Sequence, residues 1–221
     1  MRQRRLIIAI DGPSGVGKGT VARTIAQQMG YRHVDTGAMY RAVAWLAGFA
    51  GVDLQDADAI AGLAATAALD VNGSILINGH DVTQAIRTPE IDRSAAIVAR
   101  HPKVRAVLVQ RQRSYGEAGG VVMEGRDIGS VVFPQADVKV YLDATPEERA
   151  RRRAHDHSRP APAPDTTLAV VAQELDARDA LDRTRPVSPL TRVDDAMYID
   201  TTGVPIEDVV KSVLTVIESK L

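Results

Sequence analysis

"IAIDGPSGVGKGTVARTIA" (Ile8–Ala26) places four glycines within eight residues, between an apolar run and an amphipathic one, with Lys18 as the cation among them. The run before it, "RLIIAI" (Arg5–Ile10), is bounded by Asp-Gly-Pro and predicts a buried parallel strand. After it, Val21, Ile25, Ala26 and Met29 recur at helical spacing, and Gly30 ends the helix. Between strand and helix, "GPSGVGKG" has the G-x-x-x-x-G-K spacing of a phosphate-cradling loop. Its glycines let successive backbone N–H groups turn inward as an anion nest, and the following helix offers its positive end. Gly12, Pro13, Ser14, Gly15, Val16, Gly17, Lys18, Gly19 and Thr20 are therefore predicted to hold nucleotide phosphates, with Lys18 reaching the outer ones. Gly19, not Ser or Thr, follows the lysine. The hydroxyl that usually touches Mg2+ is displaced to Thr20, or Ser14 shares the role. Nucleotide phosphates and water are expected to hold the metal, and no protein metal ligand is predicted.

Working outward, "GGVVMEG" (Gly119–Gly125), "DVKVYLD" (Asp137–Asp143) and "AMYID" (Ala196–Asp200) read as further central strands. Helical patterns at Val104–Tyr115, Pro146–His155, Thr166–Leu181 and Pro205–Lys220 separate them. Strands alternating with helices predict an α/β fold, a parallel sheet covered on both faces. The middle of the chain differs. After the helix-like "GAMYRAVAWLAGFA", two short alternating segments flank Asn72-Gly73, a hairpin turn signal, so residues 41–100 are expected to form a small insert. "HDHSRPAPAPD" (His155–Asp165) carries three prolines and no apolar period, and reads as a mobile loop or an unpacked linker.

Composition fits this picture. Of 221 residues, 45% are hydrophobic and 25% charged, enough for a sizeable core. The net charge of -1 gives no basic field to gather nucleic acid. With no cysteine there is no disulfide, thiol catalysis or cysteine-bound zinc. The basic start "RQRR" reads as a solvated tail, and the apolar run after it is too short for a leader and is interrupted by Asp11. No membrane span and a cytoplasmic location are expected. His33, His80, His101, His155 and His157 lack metal-ligand spacing, and Trp45 with Phe49, at i and i+4, reads as packing.

Three further clusters suggest a second anion pocket. In "VDTGAMYRA" (Val34–Ala42), Thr36 is expected to cap a helix that carries Tyr40 and Arg41 on one face. "EGRDIGSVVFP" (Glu124–Pro134) follows a strand at its carboxyl end, where ligands bind in open α/β sheets, and brings Arg126 and Asp127 there. In "ARDALDRTRPVSP" (Ala177–Pro189), Arg178, Asp182 and Arg185 fall at i, i+4 and i+7, one helix face.

In order and spacing, "GPSGVGKGT", "DTGAMYR", "IRTPE", "GRDIGSVVFP", "LDATPEERARRR" and the Arg178/Asp182/Arg185 triplet together resemble the bacterial cytidylate kinases, across nearly the whole chain. The resemblance implies a P-loop three-layer fold with a central parallel sheet. Residues 1–40 and 101–221 would form the core domain, 41–100 an inserted monophosphate-binding domain, and about 153–166 a lid. It implies ATP-dependent phosphorylation of CMP and dCMP, with Mg2+, by a monomer. Lys18, Arg126 and Arg185 would be catalytic. Arg149, Arg152 and Arg153 would belong to the lid side of ATP. Thr36, Arg41 and Arg126 would sit at the CMP phosphate, Arg105 and Asp127 at the cytosine edge, and Arg178, Asp182 and Arg185 at the ribose and transferring phosphoryl group. The family usually carries a serine at the position of Ala96, so one base contact is expected to be missing. A kinase of another small acceptor, such as UMP or a metabolite, and a non-catalytic nucleotide-dependent module are the alternatives. An RNA-binding role lacks an aromatic platform among the basic residues.

Overall fold

The computed structural model describes residues 5–156, 158, 160 and 166–221. The expected basic tail at residues 2–4, and His157, residue 159 and residues 161–165 of the proline-rich loop, lie outside the described residues.

Five strands form one parallel sheet in the order β2-β6-β1-β7-β8. They are β1 (Ile7–Asp11), β2 (Arg32–Asp35), β6 (Val121–Gly125), β7 (Val138–Asp143) and β8 (Met197–Asp200). The apolar runs that predicted β1, β6, β7 and β8 are the strands buried on both faces or closing the far edge. β2 was not foreseen, because "RHVD" has no apolar run and only Val34 is fully buried. Alternation along β1 sorts the core. Ala9 joins a cluster with α2 (Thr36–Phe49), α3 (Ala57–Thr66) and α5 (Pro102–Gly116), while Ile8 and Ile10 join one with α1 (Lys18–Met29) and α8 (Ile206–Glu218). Each isoleucine so buried contributes about 1.5–3 kcal/mol.

Helix ends follow local chemistry. Asp35 caps α2 by accepting from the Ala38 N–H at 2.9 Å, so Thr36 is the first helical residue rather than the cap. The carboxylate one position earlier reaches the same orphan donor, which frees the Thr36 hydroxyl. Thr88 and Pro89 start α4 (Pro89–Val98), and Thr145 and Pro146 start α6 (Pro146–Ala154). α7 runs Leu168–Arg183 and stops at Thr184, so Arg185 lies just beyond the helix instead of on its face.

Residues 41–100, which begin inside α2, hold α3, α4 and a three-stranded antiparallel sheet of β3 (Leu69–Asp70), β4 (Leu76–Ile77) and β5 (His80–Asp81). Asn72-Gly73 sits in the five-residue loop between β3 and β4. That loop closes the expected hairpin, and a second, tighter one turns at Asn78-Gly79, where φ is 49° and 81°. Two positive φ values in succession are what a twisted two-residue hairpin demands, and the second Asn-Gly satisfies them. Trp45 packs against the core and stacks on Phe49 with ring centroids 5.1 Å apart, while Phe49 is 65% exposed and lies at the surface beside His80. No helix among the described residues is long and apolar enough to cross a membrane.

Candidate active site

A cleft of about 760 Å³ opens along the carboxyl ends of β1 and β6 and receives side chains from the glycine loop, α2, α4, α5 and α7. Gly12 leaves β1 at φ 144°, where a Cβ would stand 2.1 Å from the Leu142 carbonyl oxygen, so only glycine fits. Gly17 at φ 92° turns the chain into α1, whose first residue is Lys18. Lys18 is buried, and its Nζ donates to the Pro13 carbonyl at 2.5 Å. Burial first, then the Arg126 charge, lowers its pKa to about 7. The loop is braced from behind by α6 and α7. Asp179 accepts from the Ser14 N–H at 3.1 Å and pairs with Arg149, which also meets Asp176 at 2.8 Å and the Ser14 carbonyl at 3.3 Å. Arg149, expected at the ATP phosphates, is thus placed behind the loop, with its guanidinium committed to two carboxylates. Arg152 lines the cleft, donating to the Val16 carbonyl at 3.2 Å and to the Thr201 hydroxyl at 2.8 Å. Arg153 lines it too, bound to Asp92 of α4 at 2.6 Å.

Arg126 joins the two halves. Its Nη1 donates to the Gly12 carbonyl at 3.2 Å, Nη2 to Ser14 Oγ at 2.7 Å, and Nε to Asp182 of α7 at 2.8 Å. Burial opposes its charge, but Asp182 and Asp179 outweigh that and raise its pKa above the ordinary value. Asp182 responds in kind. Burial pushes its carboxyl up, while Arg126, Arg185 and Arg178 hold it below its usual range. Asp11, which the sequence reading missed, fixes this corner: its carboxylate accepts from the Ile128 and Gly129 N–H groups at 2.9 and 2.7 Å. Desolvation raises its pKa to about 6, moderated by those two bonds. A carboxylate at a strand end just before Gly-Pro was the available signal.

The opposite wall is cationic. Arg41 pairs with Asp35 at 2.9 Å. Burial alone would raise Asp35, yet Arg41 and Arg87 hold it at about 2. The Thr36 hydroxyl donates to the Glu124 carbonyl at 2.7 Å. Arg178 pairs with Asp92 at 2.9 Å, and Arg185 donates to the Ser188 carbonyl at 2.6 Å with Asp182 3.5 Å away. Deeper in, Arg105 of α5 is 2% exposed, bound to Asp127 and set 5.5 Å from the Tyr40 ring. Its Nε and Nη1 find no partner. Burial raises Tyr40 to about 12, against the pull of Arg105. Buried donors without acceptors cost about 1–3 kcal/mol each, so this corner is shaped for a polar, planar ligand edge. Ala95 and Ala96 of α4 and Ala99 just after it line the same cleft and bring no polar side-chain atom.

Lys18, Arg126, Arg185, Thr36, Arg41, Arg105, Asp127, Arg178 and Asp182 therefore all face one cleft. Two anion-binding halves share it, one built on backbone N–H groups and Lys18, the other on guanidinium forks suited to phosphate.

Comparison with known proteins agrees with that geometry. A family model described as cytidylate kinase matches residues 8–219. A cytidylate kinase from Solibacter usitatus is 46% identical over 221 residues, 100% of this chain and 95% of that protein. One from Desulfitobacterium hafniense is 46% identical over 99% of this chain and 95% of that protein. Among solved structures, a gluconokinase from Sinorhizobium meliloti superposes with a TM-score of 0.52 at 15% identity, over 98% of this chain and 94% of that one, a likeness of fold alone.

Proposed function

The chain belongs to the cytidylate kinase family and phosphorylates CMP and dCMP with ATP, and on that premise we propose how its residues divide the work. The glycine loop, with Lys18, holds the ATP phosphates. Thr36, Arg41 and Arg126 take the CMP phosphate, Arg178 and Asp182 the ribose hydroxyls, and Arg105 with Asp127 the cytosine edge. Arg185 faces the phosphoryl group in transit. A CMP phosphate oxygen attacks the γ-phosphorus in line. It needs no strong base, because a phosphate monoester is already largely dianionic near neutral pH. The protein's part is positioning and charge stabilisation in a site closed to water. The observation that carries this reading is Arg126, hydrogen-bonded at once to the glycine loop and to Asp182 across the cleft.

ATP arrives with Mg2+. Among the described residues no group of three His, Asp or Glu side chains is placed to hold a cation. The loop offers the Ser14 hydroxyl, which accepts from Arg126, and the exposed Thr20 hydroxyl. That donor set fits an ion carried by the nucleotide and completed by water and one hydroxyl. Bound there, it neutralises charge on the phosphate oxygens. Residues 1–40 and 101–221 act as the core and 41–100 as the CMP-side insert, while most of the lid expected at about 153–166 lies outside the described residues. All the side chains assigned here come from one chain, which suits a monomer.

Base choice follows from hydrogen bonding. Cytosine presents an amino donor to Asp127 and N3 as acceptor to the orphan N–H groups of Arg105, and uracil reverses both. A panel of CMP, dCMP and UMP with ATP and Mg2+ is expected to give kcat/KM about 10²-fold lower for UMP. Equal turnover of UMP defeats the assignment of Arg105 and Asp127.

Lys18 gives a pH signature. Its pKa near 7 rises back toward the ordinary lysine value once triphosphate oxygens surround it. Between those two values, binding must take up a proton, so apparent affinity for MgATP falls as pH rises above about 7. Calorimetry at pH 8.5 in two buffers of different ionisation enthalpy should register uptake of close to one proton. Zero uptake contradicts the placement of Lys18 against the phosphates.

A further inference from the structure

Asp92 is a buried carboxylate of the insert that the reaction scheme above leaves without a role. It stands in the first turn of α4, between two guanidinium groups of the core. Arg178 Nη1 of α7 lies 2.9 Å from Oδ1, and Arg153 Nη2 of α6 lies 2.6 Å from Oδ2. One side chain of α4 thus reaches the two helices that brace the glycine loop. Ala95, Ala96 and Ala99 follow Asp92 by three, four and seven positions, which puts all four on one face of α4. The alanines form a wall of the cleft but can make no hydrogen bond to a base through their side chains. The position of that wall therefore depends on how α4 is docked against its neighbours, and the Asp92 ion pairs are the polar contacts that tie it to α6 and α7. Arg178 also needs the partner: it is partly buried, with Arg126 and Arg41 as like charges around it and Asp92 as the chief opposing one.

We propose that Asp92 is a positioning residue for CMP, which docks the α4 wall onto α7 and holds Arg178 where the nucleotide meets it. The inference rests on the assignment of Arg178 to CMP given above. Asp92 touches no substrate and acts through its arginine. Charge alone predicts the opposite sign, because removing a carboxylate beside a cationic pocket draws an anion in more tightly. The direction of the affinity change therefore separates positioning from screening.

The test compares wild type, Asp92→Asn, Asp92→Glu, Arg178→Met and the Asp92→Asn/Arg178→Met double variant. It reads kcat and KM for CMP at saturating ATP, CMP binding by calorimetry, and thermal midpoints. Asp92→Asn is expected to raise KM and Kd for CMP about tenfold with kcat within about threefold of wild type, and Asp92→Glu to raise KM only about threefold. In the Arg178→Met background, Asp92→Asn should add less than about twofold, since the arm it positions is gone. Unchanged or tighter CMP binding by Asp92→Asn overturns the proposal, as does a full additional loss in the double variant. If the asparagine variant does not fold, Asp92→Glu decides: a moved charge raises KM under positioning and leaves it at the wild-type value under screening. Wild-type protein that binds no CMP overturns the kinase reading and this inference with it. Wild-type and Asp92→Asn proteins that bind CMP equally overturn the inference alone.

Discussion

Lys18→Ala is expected to lower kcat for CMP phosphorylation by about 10²–10³-fold, the effect of removing one preorganised electrostatic stabiliser from a dry site. The side chain is buried, starts α1 and is folded back onto the Pro13 carbonyl inside its own loop. From there it can stay with the phosphoryl group and the charge shifting to the leaving oxygen without first being recruited from solvent. Stability should move the other way. The folded protein lowers the pKa of Lys18, so the charged amine is disfavoured by folding, and that cost is largest below about pH 7. The alanine variant is therefore expected to melt at or slightly above the wild-type temperature, with the difference growing as pH falls from 9 to 6. Lys18→Arg should not restore kcat, because a planar fork replaces the compact point charge of the ammonium. Steady-state kinetics beside melting curves settle the matter, and a variant with near-normal kcat would remove Lys18 from the chemistry.

How much of this was legible beforehand depended on whether a signal was local. The glycine loop is local: its conformation is written in the spacing of Gly12, Gly15 and Gly17, and the apolar runs on either side of it have no other use than a buried strand and a packed helix. β6, β7 and β8 were readable for the same reason. β2 was not, since an edge strand needs few apolar residues and borrows its pairing from β6. The hairpin signal at Asn72-Gly73 was legible and lies in the loop that joins the paired strands β3 and β4, whereas the second turn, at Asn78-Gly79, went unread because only the pairing of Leu76 with Asp81 and Ile77 with His80 marks it. Charged residues were harder still. Along α6, Arg149, Arg151, Arg152 and Arg153 look alike in sequence, yet one is buried against Asp179, one pairs with Glu148 at the surface, one reaches Thr201, and one reaches Asp92. Steps of about 100° per residue send each to a different neighbour. Arg105 reads as an ordinary polar position on α5 until Asp127, 22 residues on, is folded against it. Asp92 gave no signal at all, because its Arg178 partner lies on a helix far along the chain.

The second large effect is expected at Arg185. Arg185→Ala should reduce kcat by about 10²–10³-fold, with KM for CMP changing much less, as for a group whose contacts strengthen as charge develops on the phosphoryl oxygens. Its setting supports that division. The residue follows the end of α7, and its Nη2 donates to the carbonyl of Ser188, a non-glycine residue held at φ 54°. The Leu190 N–H closes the turn onto the Asp182 carbonyl at 2.9 Å. A strained turn kept in place this way is a device for aiming one side chain. Asp182 lies 3.5 Å away and balances part of the charge, while the Nε hydrogen has no partner. Burial and the neighbouring Arg105 both lower the pKa of Arg185 without discharging it, since guanidinium stays protonated at any working pH. The arginine is therefore held ionised in a place where an anion improves its situation, and the moving phosphoryl group is that anion. Arg185→Lys keeps one charge but loses the fork and the bond to Ser188, so it should recover no more than about a tenth of the lost rate. Full rescue by lysine would mean that charge alone matters and the aimed geometry does not, and a near-normal kcat in the alanine variant would move the stabilising role to Arg126.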